Sequence, residues 1–224
     1  SFFGEKISEK SVFDIGFGFA QALKYMKNKG LKVAGLEPSK EGVDYARENG
    51  IDAIHCGIER LDLVKDKSEV VLLLNVLEHL RKPEQTLLNI KEKVLTSDGM
   101  LVIEVPNDFN DFQIVADAEY NLDEWWVFPP NHINYFSHDS LQELLRGCGY
   151  KIIHCTSSFP LDMFLLFGDQ YVGNPKLGRE CHNKRVKFEQ LMEKHGKVEK
   201  LKKFYNALSE LNLGRSISVY ATPV

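Results

Sequence analysis

Apolar positions in the first half of the chain follow two alternating rhythms. Short β-rich runs at 11–15, 31–36, 52–56 and 69–74 have the length of strands, and the last is nearly all apolar, as a strand buried on both faces should be. Between them the apolar residues take helical spacing. Ala20, Leu23 and Met26 predict a helix over 19–29 that stops at Gly30, and Ser39 as a cap predicts another over 40–49 that stops at Asn49-Gly50. Pro83 to Leu95 reads as a helix with Pro at its start and Asp98-Gly99 beyond its end, followed by a fifth strand, Met100–Val105. A helix over Asp139–Arg146, capped by Ser137, leads to a sixth strand, Tyr150–Cys155, and Ser216–Ala221 alternates as a seventh. Alternation of this kind predicts an α/β fold: a doubly wound, mostly parallel seven-stranded sheet covered by helices on both sides.

Two stretches break the rhythm. The first, an insertion over 106–136, carries Phe109, Phe112, Tyr120, Trp125, Trp126 and Phe128. Following the fifth strand, it belongs at the carboxyl edge of the sheet, and its aromatics read either as an acceptor-pocket wall or as a satellite core. The second is a helical insertion over 160–213. Leu161–Val172 reads as an apolar helix, and Val198, Leu201, Tyr205 and Leu208 form one helical stripe. Ten Lys or Arg and four Glu fall within 176–204, which reads as a helical hairpin with a solvated basic face or as cations for an anionic acceptor such as a nucleotide-linked sugar. Both insertions are expected within a single domain spanning 1–224.

Composition narrows the class. With 43% hydrophobic and 27% charged residues, the 224-residue chain has the make-up of a soluble globular protein. A net charge of -4 gives no reason to expect nucleic-acid binding, and no apolar run approaches the roughly 20 residues of a membrane span. Ser1–Lys6 shows no signal-peptide pattern, and Cys56, Cys148, Cys155 and Cys181 show no metal-type or redox-type pairing, so reduced thiols and a cytoplasmic location are expected. The oligomeric state is open, a homodimer included.

The candidate chemistry gathers at strand ends. The first strand runs into Asp14-Ile15-Gly16-Phe17-Gly18-Phe19-Ala20 and the second ends at Glu37-Pro38. A strand, a glycine turn and a helix start make a corner for a nucleotide-like ligand, and a carboxylate at the second strand's tip suits ribose hydroxyls. Asp14, Glu37, Gly57 and Asn75 all fall at the carboxyl ends of strands, where ligands of such sheets bind. The dinucleotide pattern Gly-x-Gly-x-x-Gly fails, because its third place holds Gln21.

The run from Asp14 to Ala20 resembles the first motif of class I S-adenosylmethionine-dependent methyltransferases, Asp-x-Gly-x-Gly-x-Gly, with Ala20 in the last glycine place. Leu77-Glu78-His79-Leu80, ahead of Arg81-Lys82-Pro83, resembles the motif after the fourth strand in the branch holding ubiquinone-pathway O-methyltransferases and many sugar-modifying methyltransferases. The resemblance covers roughly residues 11–105. It implies S-adenosylmethionine as cofactor, held by Asp14, Gly16, Phe17, Gly18, Glu37 and Pro38, by Gly57, Ile58 and Glu59 at the adenine, and by Asn75 and Val76. It implies methyl transfer to a small molecule, with O-methylation of a sugar as the leading reading. Asn131–Ser137 resembles the Pro-x-His-x-x-x-Phe-Ser segment of sugar-directed members.

His79 and His132 are the candidate bases, each with a structural alternative, and Glu78 is expected to be structural. Some ubiquinone-pathway enzymes are thought to hold a divalent metal on the loop after the fourth strand. Asn75 stands here in one of those carboxylate places, so no metal is expected. Family members commonly carry helices before the first strand, so the chain either does without them or is a fragment. A non-catalytic cofactor-binding module and, with less support, a nicotinamide-dependent oxidoreductase are the competing readings.

Overall fold

The computed structural model describes residues 10–224, and the signal-peptide reading of Ser1–Lys6 lies outside the described residues. Seven strands, β1 (Ser11–Ile15), β2 (Lys32–Glu37), β3 (Asp52–His55), β4 (Ser68–Leu74), β5 (Leu95–Pro106), β6 (Tyr150–Ser157) and β7 (Ser216–Pro223), form one sheet in the order β3-β2-β1-β4-β5-β7-β6. The pairs β1–β2, β1–β4, β2–β3 and β4–β5 are parallel, so the doubly wound, mostly parallel sheet expected from the pattern is the fold found. The chain runs outward from β1 through β2 to β3 and returns to β4 on the other side of β1. Connections leave the tips of β1 and β4 in opposite directions, which opens a crevice at their carboxyl ends.

Helices α1 (Gln21–Asn28), α2 (Lys40–Glu48) and α3 (Pro83–Lys93) connect the first five strands. Val12, Val70 and Leu72 of the sheet form one core cluster with Leu23 of α1 and Val43 and Ala46 of α2. Ser39 caps α2 as expected, its hydroxyl accepting from Gly42 N at 3.3 Å. On α3, the Leu87 carbonyl accepts from the buried Tyr150 hydroxyl at 2.9 Å.

Further helices are α4 (Asp111–Tyr120), α5 (His138–Gly147), α6 (Met163–Leu166), α7 (Pro175–Lys194) and α8 (Val198–Glu210). The chain divides into two compact units. Among the described residues, one holds 10–104, 142–154 and 219–224, and the other holds 105–141 and 155–218. The second unit has its own buried polar ties. Asn107 donates to the Asn212 and Gly214 carbonyls at 3.0 and 3.1 Å. The His138 ring lies 3.0 Å from the Ser157 hydroxyl and 3.3 Å from that of Ser209.

Four local expectations change. The helix before β5 ends at Lys93, and β5 starts at Leu95 rather than Met100, because the ladder with β4 absorbs Asp98-Gly99 through a register shift. The 106–136 insertion contains α4, closed by a capping box in which Asn110 Oδ1 accepts from Phe112 N and Gln113 N and Gln113 Oε1 accepts from Asn110 N. In the stretch 161–172 only Met163–Leu166 is helical, and Gly168 leaves helical geometry at φ 95°. The pattern-poor segment after β3 is a pair of 3₁₀ turns over Ile58–Leu63.

Candidate active site

The first unit gathers its candidate residues at the tips of β1 to β4. Gly16 and Gly18 turn the chain out of β1 with φ of 77° and 54°, left-handed values that favour glycine. Ala20 also takes a left-handed conformation, φ 52°, with its methyl buried beside Leu23. A small residue in the last glycine place therefore keeps both the turn and the packing of α1, at a cost of about 1–2 kcal/mol in backbone strain.

Glu37 is buried at the end of β2. Its Oε2 accepts from Gly18 N at 2.8 Å and its Oε1 from Ser39 N at 2.8 Å. One carboxylate thus ties the glycine turn to the start of α2. Each oxygen keeps lone-pair capacity for a further donor.

Two glycines that sequence reasoning passed over make this approach possible. A Cβ at Gly35 would lie 2.5 Å from the Asp14 carbonyl oxygen and 2.7 Å from the Phe17 ring. A Cβ at Gly42 would overlap the Gly18 carbonyl oxygen and lie 3.1 Å from Glu37 Cγ. Their spacing from the turn carries no motif, since both act across space from β2 and α2.

A cavity of about 490 Å³ opens beside this corner. Gly16, Glu37, Pro38, Gly57, Ile58, Glu59, Val76 and His79 line it, as do Ile15, Leu36 and Leu80, which the sequence did not single out. Its volume suits a small ligand, and its wall is apolar with a few placed polar groups. A second hollow of about 220 Å³ is lined by Asp14, Gly16 and Phe17, with Phe19, Gln21, Ala22 and Leu74. Gly18 and Asn75 line neither. Gly18 meets Glu37 through its N–H, and Asn75, at φ 55°, donates its N–H to the Glu104 carbonyl at 2.8 Å.

Asp14 is 3% exposed and its Oδ1 has no hydrogen-bond partner. Burial, and then the charge of Glu37, push its pKa up to about 7. A buried acid with an orphaned oxygen fits a cationic ligand group, whose charge would offset both effects. Glu37 and Asp14 together, one poised for hydroxyl donors and the other for a cation, fit a nucleoside that carries an amino-acid tail.

Leu77–His79 forms a 3₁₀ turn after β4. Glu78 is buried, and its Oε1 lies 3.8 Å from His79 Nε2, while the His79 side chain is 42% exposed. His132 belongs to the second unit. There its N–H donates to the Phe128 carbonyl at 3.0 Å, and its own carbonyl accepts from the Tyr135 hydroxyl at 3.2 Å. Trp126 is buried in an aromatic cluster with Trp125, Phe109 and Tyr135, so its indole serves the packing of that unit. Among the described residues, no helix is long and apolar enough to cross a membrane.

The chain is similar to known proteins in sequence and in fold. A family model described as a methyltransferase domain matches residues 1–155. The ubiquinone biosynthesis O-methyltransferase of Rickettsia canadensis is 28% identical over 157 residues, 65% of this chain and 64% of that protein. Its counterpart in Rickettsia conorii is 31% identical over 138 residues, 58% of this chain and 46% of that protein. The chain thus matches less than two thirds of the length of either relative. The structure of an S-adenosylmethionine-dependent methyltransferase from Archaeoglobus fulgidus superposes with a TM-score of 0.61 at 16% identity, over 98% of this chain and 89% of the other, a likeness of fold.

Proposed function

The chain belongs to the class I S-adenosylmethionine-dependent methyltransferase family, and on that premise we propose that it methylates a hydroxyl of a small, sugar-like acceptor. One observation carries the cofactor half of this reading. The buried Glu37 carboxylate grips the glycine turn at the wall of a cavity large enough for a nucleoside. In this reading Glu37 accepts from the two ribose hydroxyls with its remaining lone pairs. Gly57, Ile58 and Glu59 border the adenine, and Asp14 meets the ammonium of the amino-acid end. When bound, S-adenosylmethionine supplies a methyl group already activated by its sulfonium. The chain's remaining tasks are to align the acceptor and to take up a proton.

His79 is the base in this reading. It lines the cavity, and the Glu78 carboxylate lies 3.8 Å from its Nε2. His132 is the second candidate. The sugar acceptor is supported by the resemblance of Asn131–Ser137 to sugar-directed members, and a cytoplasmic setting by four free cysteines.

The test pairs calorimetry of S-adenosylhomocysteine binding with transfer of labelled methyl to a panel of nucleotide-linked sugars, phenols and amines. Binding with transfer to a sugar hydroxyl is the expected result. Binding with no transfer to any acceptor would favour a non-catalytic module. Preference for a nicotinamide dinucleotide would overturn the cofactor assignment. With an acceptor in hand, His79→Ala is expected to lower turnover about 10²-fold or more, with cofactor affinity unchanged. The same comparison for His132→Ala decides its role.

A further inference from the structure

Charge is sharply segregated within the second unit. Residues 105–141 hold seven Asp or Glu and no Lys or Arg. The α7–α8 arm, 175–210, holds ten Lys or Arg and five Glu, a formal charge of +5 in a chain whose net charge is -4. Asp111, Glu119, Asp123, Glu124 and Asp139 are exposed in the acidic segment, and every arm cation except Arg185 is exposed.

Each surface also carries uncovered apolar side chains. Ile114, Val115, Phe128 and Ile133 are about half exposed on the acidic segment. Leu191, Val198 and Phe204 are 38–45% exposed on the arm. The 20-residue α7 buries only Cys181, and α8 buries only Leu208 and Ser209. An apolar centre with a charged rim is the anatomy of a protein interface. The ion pairs the arm cations make among the described residues, Lys184–Asp169, Arg185–Glu189 and Lys202–Glu199, include no carboxylate of the acidic segment.

We propose that two copies of this chain associate reciprocally, the basic α7–α8 arm of each lying on the acidic 105–141 segment of the other. The occupant is argued from complementarity. Arm against arm would oppose +5 to +5, whereas arm against segment brings +5 to -7, and a two-fold axis makes that contact twice. A helix of α7's length, about 30 Å, offers enough surface for a standard interface when the contact is made twice.

Sedimentation velocity on the full chain is expected to show a dimer at about 50 mM salt that dissociates by about 500 mM. Two charge-reversed variants test the geometry. Lys194→Glu, Lys197→Glu, Lys200→Glu and Lys203→Glu together take the arm from +5 to -3, so that it repels the acidic segment. Asp111→Lys, Glu119→Lys, Asp123→Lys and Glu124→Lys together take the segment from -7 to +1, so that it repels the arm. Each variant alone is expected to be monomeric with an unchanged circular dichroism spectrum. Their equimolar mixture is expected to recover the dimer, because both contacts then join opposite charges. A wild-type chain that stays monomeric at low salt, variants that still dimerise, or a mixture that stays monomeric would each overturn the proposal. So would an arm that leaves the chain monomeric and sediments it with anionic vesicles.

Discussion

At the residue scale, Asp14 and Glu37 share one buried corner and take opposite tasks. Glu37 is satisfied by two backbone N–H groups, whereas Asp14 has an oxygen with no partner and an acid strength near that of a histidine. Replacing Glu37 with Ala removes a charge-assisted tie to the glycine turn as well as the ribose acceptor. It is expected to weaken S-adenosylhomocysteine binding about tenfold or more by calorimetry. Asp14 predicts a pH dependence whose sign follows from linkage. Its folded pKa, about 7, lies above the ordinary 3.8, so its contribution to stability is fully present below 3.8 and is lost as pH rises through 7. The loss is on the order of 4 kcal/mol. Thermal melts of the ligand-free protein between pH 4 and 7 should show a steeper decline with rising pH for wild type than for Asp14→Asn. Parallel curves would remove Asp14 from the account. His138 acts on the other flank. Burial holds its pKa below the usual 6.5, so stability falls as pH drops below 6.5 and toward the depressed value.

At the element scale, β2 and α2 hold the glycine turn by pressing backbone against backbone. Gly42→Ala places a methyl against the Gly18 carbonyl oxygen and so disturbs the N–H that Glu37 receives. The expected result is a rise of about tenfold or more in the Kd for S-adenosylhomocysteine, since a bond to a charged group is at stake. Gly178→Ala is the matched control. It lies in α7, and its new Cβ would meet nothing within 4 Å. It should leave cofactor affinity unchanged and raise stability by about 0.5–1 kcal/mol in urea titration, as Ala does in a helix interior. Legibility differed between these elements. β4 and α2 were plain in the pattern, one from its unbroken apolar run and the other from Ser39 and Asn49-Gly50. Helix α4 was hidden although Asn110 and Gln113 spelled its cap, because the dense aromatics around it carry no helical period. The early start of β5 was hidden because Asp98-Gly99 is a turn signal that only pairing with β4 could override.

At the scale of the whole molecule, the strand order places the tips of β1 and β4 side by side although nearly 60 residues separate them in sequence. The adjacency that makes a binding edge is thus a property of the sheet. The second unit holds nearly all of the chain's charge asymmetry, and the charge-reversal experiment above tests whether that asymmetry is a device for association. Variants that dissociate the chain are expected to keep S-adenosylhomocysteine affinity within about twofold, because none of the substituted residues is among those proposed to bind it.

What the sequence determined by itself is local in its physics. Hydrophobic period, caps and glycine turns specify strands and helices within a dozen residues, and their alternation admits few topologies, so the parallel sheet, the glycine corner and Glu37 at a strand tip were all readable. What only the tertiary structure decided depends on residues brought together from afar. That Glu37 closes on the Gly18 N–H, that Gly35 and Gly42 must lack a side chain, and that Asp14 is buried with its Oδ1 unpartnered follow from how closely the elements around the end of β1 approach it. Distances of that kind are set by packing, and no spacing along the chain encodes them.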